Sequence, residues 1–140
     1  MIIKLDKIFL LINFINFYNI NLLDYLSFLE TLEKDLIISN QKYETVKFFG
    51  SEIVSVWIWF IIMKNYYDKN NNILNIEKIL AQIPSQYASR PKLLKIMATA
   101  VEKKYLIKKT DSNDRRKNFL EPSELTIKEF EEWAQVFKGF

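Results

Sequence analysis

Between Ser85 and Lys117 the chain carries ten cations: Arg90, Lys92, Lys95, Lys103, Lys104, Lys108, Lys109, Arg115, Arg116 and Lys117. Only Glu102, Asp111 and Asp114 oppose them, a local excess of seven in a chain whose net charge is +3. The chemistry open to such a run is electrostatic, the docking of a polyanion on one surface. From charge alone it can equally be a solvated basic face. The densest part, Asp114-Arg115-Arg116-Lys117, closes a polar stretch between two β-prone segments, Tyr105–Thr110 and Asn118–Leu120. Beyond it the sign reverses, with Glu121, Glu124, Glu129, Glu131 and Glu132 set against Lys128 and Lys138.

Covalent and metal chemistry is less well provided for. The chain has no cysteine and no histidine. That removes disulfides, thiol switches, zinc–thiolate sites, Ser-His-Asp triads and the commonest metal ligand. No clustered carboxylate spacing suggests a metal site, and no nucleophile–base pair or phosphate loop is evident. The expectation is a protein without catalysis, cofactor or metal.

The elements around the basic run read as helices. Asn75 can cap a helix through Ile76, Ile79, Leu80 and Ile83, stopped by Pro84-Ser85, with Ile73-Leu74 before it as a short strand. Ser89 or Arg90 can cap a second helix with Pro91 in its first turn, where the missing N–H costs nothing. Leu94, Met97 or Ala98, and Val101 are its expected inward face. Two short helices with a tight connection, the second basic at its N-terminal end, are what recognition in a DNA major groove requires. Ser85, Gln86, Tyr87 and Ser89 lie in or beside the turn, where small polar groups reach phosphates or base edges. Arg90, Lys92 and Lys95 follow on the helix. A basic-tipped hairpin directly after such a helix has the form of a DNA-binding wing.

Upstream, Ile53 to Met63 is apolar on every side, which fits a buried helix running from a cap at Ser51 to about Tyr66. Trp57, Trp59 and Phe60 fit the core better than a ligand box. Ser39 to Tyr43 and Asp68 to Asn72 read as connections. The segment from Ile2 to Ile38 is long and apolar, but Asn13, Asn16, Asn19, Asn21 and Asp24 leave no clean run of about 18 apolar residues. It lacks the basic start and small-residue cleavage site of a secretory signal, and it has no basic face for a membrane surface. Leu22, Leu26, Leu29, Leu32 and Leu36 recur at helical spacing, with Glu30, Glu33, Lys34 and Asp35 mostly opposite. That stripe exceeds what a small domain covers alone, so two copies are expected to bury it between them; packing within one chain is the alternative.

The run VEKKYLIKKTDSNDRRKNFLEPSEL resembles the wing region of the MarR-type winged-helix regulators. Val101-Glu102 matches the end of that family's recognition helix, Leu106 to Lys109 its basic strand, and Asp114-Arg115-Arg116 its wing tip. Pro122-Ser123 stands where the family opens its next helix. The likeness covers roughly Asn75 to Thr126. It implies a recognition helix in the major groove, Arg115 or Arg116 in the minor groove, and Asp114 orienting the neighbouring arginine. Tyr105 replaces the family's usual glycine after the helix, and one C-terminal helix, from about Ser123 to Phe137, stands where the family often has two.

The fold expected is therefore mainly α with a small β-hairpin wing. A dimerisation helix occupies 1–42, a winged helix-turn-helix 43–122 and a C-terminal helix 123–140. The expected function is sequence-selective binding of double-stranded DNA by a homodimeric cytoplasmic regulator, with no membrane partner. A small-molecule effector is allowed, with Trp57, Trp59 and Tyr66 either lining its pocket or filling the core. The alternative is a winged-helix protein-interaction or replication/phage accessory module with weak, unselective DNA binding.

Overall fold

A computed structural model describes residues 22–68, 73–114 and 117–137, with the backbone alone at 22–24 and 36–40. The described residues form six helices and one antiparallel pair of strands, so the chain is mainly helical with a small two-stranded sheet. The helices are α1 (Leu22–Lys42), α2 (Glu44–Phe49), α3 (Ile53–Tyr67), α4 (Ile76–Gln82), α5 (Arg90–Glu102) and α6 (Glu124–Gln135); the strands are β1 (Leu106–Thr110) and β2 (Asn118–Pro122). The chain divides into two compact units, one of residues 1–53 with 128–140 and one of residues 54–127. No helix among the described residues is long and apolar enough to cross a membrane.

In the first unit α1 packs on α2. The buried stripe of α1 runs through Phe28, Leu32 and Asp35, while Leu26 and Leu29 are 57% and 55% exposed. This corrects the expected stripe: Asp35, placed with the polar residues, lies one turn beyond Leu32 on the buried side. The side chains of Leu22 and Leu36 fall outside the described residues. Ser39 to Lys42 continues the helix instead of forming a connection, because nothing there breaks it. The break falls at Tyr43, whose extended backbone (φ −114°, ψ 103°) opens α2.

Helix α2 has six residues and no cap from its own N-cap side chain. Helices this short are unstable alone, and their first N–H groups need partners. The partner comes from 84 residues away: Glu129 Oε1 accepts from the Thr45 amide at 2.9 Å and from the Thr45 hydroxyl at 2.7 Å, all buried. Hydrogen bonds to an ionised acceptor are short and stronger than neutral ones. At the other end of α2, Gly50 donates to Val46 O at 2.8 Å. An added Cβ at Gly50 would lie 2.7 Å from that same oxygen, so the close approach requires glycine.

In the second unit α3 is helical, as length and context suggest, and buries Val54, Ile58, Trp59, Ile61, Ile62 and Met63 around its circumference. It starts at Ile53, so the expected cap at Ser51 lies outside it. The Asn75 cap forms, with Oδ1 accepting from Lys78 N at 2.8 Å. Ile73-Leu74 does not reach a full strand: Leu74 O accepts from Leu120 N at 3.1 Å and Asn75 bridges to Phe119, so a short edge leans on β2.

Glu129→Ala is expected to cost about 2–3 kcal/mol, because it strands a buried amide and hydroxyl together. Glu129→Gln, which keeps an acceptor, should cost about 1 kcal/mol. Urea denaturation followed by helical circular dichroism measures both, and equal midpoints for all three proteins would exclude this role for the carboxylate.

Candidate nucleic-acid interface

Apart from Arg115 and Arg116, the residues expected to meet nucleic acid lie within the second unit, in the turn after α4, on α5 and at the hairpin. The turn is closed by Tyr87 N donating to Pro84 O at 3.0 Å, which leaves Ser85 and Gln86 exposed at its two central positions. Tyr87 is 52% exposed, and its ring meets Trp57 edge-on at 5.4 Å. Ala88 turns inward, and Ser89 then caps α5 by accepting from Lys92 N at 3.4 Å, with Pro91 in the first turn.

Leu93, Met97 and Ala100 are the buried face of α5. The inward face expected through Leu94 and Val101 is therefore one residue off, with both half-buried at its edge and Ala98 exposed. Lys92 and Lys95 are exposed on the outer side.

Arg90 is already engaged. Its Nη1 donates to Glu77 Oε2 at 3.1 Å and its Nη2 to Glu77 Oε1 at 2.5 Å, a two-pronged contact from α5 back to the first turn of α4. The hydrogen bond from Arg90 holds the Glu77 carboxyl below the ordinary carboxylate value, and the same contact holds the guanidinium above its own. Sequence reading missed this pair, although Asn75 as a cap already put Glu77 at the start of a helix.

The stop of α5 sets where the hairpin begins. Lys104 has φ 64°, Tyr105 N donates back to Ala100 O at 2.8 Å, and Lys104 N donates to Val101 O at 3.0 Å. This is the Schellman pattern, with the left-handed residue just past the helix. The left-handed residue is thus Lys104, one place before Tyr105. Tyr105 instead turns inward and is 8% exposed.

From there β1 pairs with β2, Leu106 opposite Pro122 and Thr110 opposite Asn118. Leu106, Leu120 and Pro122 are buried at the base, whereas Ile107 to Thr110 are exposed. Lys109 reaches diagonally to Glu121 at 2.8 Å. Five residues at about 3.4 Å each carry the tip roughly 15 Å beyond its base. Near the tip Asp111 Oδ1 accepts from Asn113 N at 2.9 Å, and Asp111 N and Lys117 N bond back to Lys117 O and Asp114 O. Lys117 is exposed. Arg115 and Arg116 lie outside the described residues, and with them the orienting role expected of Asp114.

A groove of about 410 Å³ runs beside the hairpin, lined by Tyr66, Ile62, Ile73, Phe119, Leu120 and the Lys109–Glu121 pair, among others. Of the aromatics considered for an effector pocket, Tyr66 lines it, Trp59 is in the core and Trp57 rests on Tyr87. No protein-family model, curated protein or solved structure matches the chain.

Lys104→Gly is expected to stabilise the protein by about 1 kcal/mol, since a side chain in the left-handed region is strained there; a thermal melt reads it, and a lower Tm would contradict the strained geometry. For the ion pair, stability gained from a lowered carboxyl is present above the ordinary glutamate value and is lost as pH falls through the lowered one. In a carbon-detected titration Glu77 should therefore protonate below the ordinary value, and Arg90→Gln should return it upward. No movement in that variant would argue against the contact in solution.

Proposed function

We propose that this chain binds double-stranded DNA as a homodimeric, sequence-selective transcriptional regulator, using a winged helix-turn-helix of the MarR type. The observation that carries the reading is the unbroken order of capped α4, closed turn, capped α5, Schellman stop and base-anchored hairpin, with exposed cations on α5 and at the hairpin. In this reading α5 is the recognition helix. Lys92, Lys95 and the turn residues Ser85, Gln86, Tyr87 and Ser89 meet the major groove and its phosphates. The hairpin is the wing, and Arg115, Arg116 and Lys117 reach the minor groove, where a narrow A·T-rich stretch concentrates negative potential. Exposed Leu26 and Leu29 on α1 support a second copy as partner, because apolar side chains there are left to water in the single chain.

One observation favours the second reading, a winged-helix protein-interaction or replication accessory module. Arg90 and Lys109, two of the ten cations, are each neutralised within the unit by Glu77 and Glu121. That lowers the charge available to a nucleic acid and suits weak, unselective binding.

The regulator reading predicts binding that weakens steeply with salt, with a log–log slope of about −5 for about six phosphates neutralised. Sequences enriched from a random pool should bind more tightly than random duplex by about 1000-fold or more. Arg115→Ala with Arg116→Ala should weaken binding strongly and leave far-UV circular dichroism unchanged. Enrichment that yields no preferred sequence would favour the accessory module, and no duplex binding at 50 mM salt would end the DNA reading altogether.

A further inference from the structure

Arg90 occupies the first position of α5, the end of a helix where the backbone dipole disfavours a cation. Glu77 grips the guanidinium there through both terminal nitrogens. The two side chains are 58% and 68% exposed, so the pair stands at the surface beside the turn and the N-terminal end of α5. Exposed ion pairs contribute little to stability. Folding therefore gives a weak account of why a cation and its counter-ion are placed there.

The contact has another property. A carboxylate offers the guanidinium the same two-acceptor edge that a phosphate does. While Glu77 holds that edge, a phosphate has to displace it to gain the charge of Arg90. Phosphate contacts strengthen binding to every sequence alike, so withholding one lowers the affinity for every duplex by the same factor. We propose that Glu77 is a positioning residue that lowers duplex affinity through Arg90, serving as a resident counter-anion that keeps the guanidinium from backbone phosphate. This rests on the DNA-binding reading given above. Glu77 touches no DNA in this scheme; its effect runs through the fork of Arg90. The result is a recognition helix whose first cation is masked by its own counter-anion.

The test is a titration of the full chain with random-sequence duplex between 50 and 200 mM salt, comparing wild type, Glu77→Gln, Arg90→Gln and the double variant. Releasing one cation to one phosphate should steepen the salt slope of Glu77→Gln by about 0.9 and tighten its binding about eightfold at 0.1 M salt. Arg90→Gln should bind random duplex about as wild type does, since its charge was already occupied. The double variant should match Arg90→Gln, because without the guanidinium there is nothing for Glu77 to withhold. An equal rise from Glu77→Gln with and without Arg90 would show that Glu77 is only a bulk negative charge, and would overturn the inference. So would unchanged or weaker binding by Glu77→Gln. A wild type and a Glu77→Gln variant that both fail to bind at 50 mM salt would instead remove the DNA reading, and this inference with it.

Discussion

The carbonyl of Tyr105 is the point on which the second unit turns. It accepts from Ser123 N at 3.0 Å and from the Thr126 hydroxyl at 2.7 Å, while the Tyr105 amide bonds back to Ala100 O. One buried residue thus closes α5, starts β1, receives the chain leaving β2 and fixes the first turn of α6. Ser123 completes the junction by accepting from Thr126 N at 3.2 Å as the cap of α6. A two-stranded hairpin is at best marginally stable by itself. This one is held at its root by buried backbone and hydroxyl hydrogen bonds, and the left-handed Lys104 precedes the Tyr105 that accepts them. The direction of the hairpin follows from the α5 stop rather than from its own strands.

Local signals carried much of the fold. Asn75, Ser89 and Pro91 act where their types indicate, and Ile53 to Met63 is a helix because its length suits one. The basic hairpin stands where two β-prone segments flank a polar tip. What could not be read locally depended on partners far off in the chain. Helix α2 is capped by a carboxylate that, in the sequence, is one of five glutamates in an acidic run. The buried stripe of α1 passes through Asp35, a residue whose type points to solvent. On α5 apolar residues stand at both 93 and 94, so spacing alone did not decide that Leu93 is the buried one.

The candidate interface shows the same division. The exposed turn, the outer lysines of α5 and the hairpin cations could be named from residue type and order. Which of them are free to act could not, since charge is a property of pairs. Arg90 and Lys109 lie in the basic run but face glutamates of α4 and β2, both within the same unit. The effective charge of the surface is therefore smaller and more patterned than its composition, and the exposed lysines carry more of it than the arginine at the head of α5.

The Glu129–Thr45 contact also bears on how the chain is made. The unit of residues 54–127 is continuous in sequence, whereas the other draws on both sides of it. During synthesis α2 emerges with its first amides unsatisfied and stays so until residue 129 has left the ribosome. The continuous unit is completed only three residues earlier, when Ser123 and Thr126 reach the carbonyl of Tyr105. Both units therefore wait for the first turns of α6, the last described element to emerge.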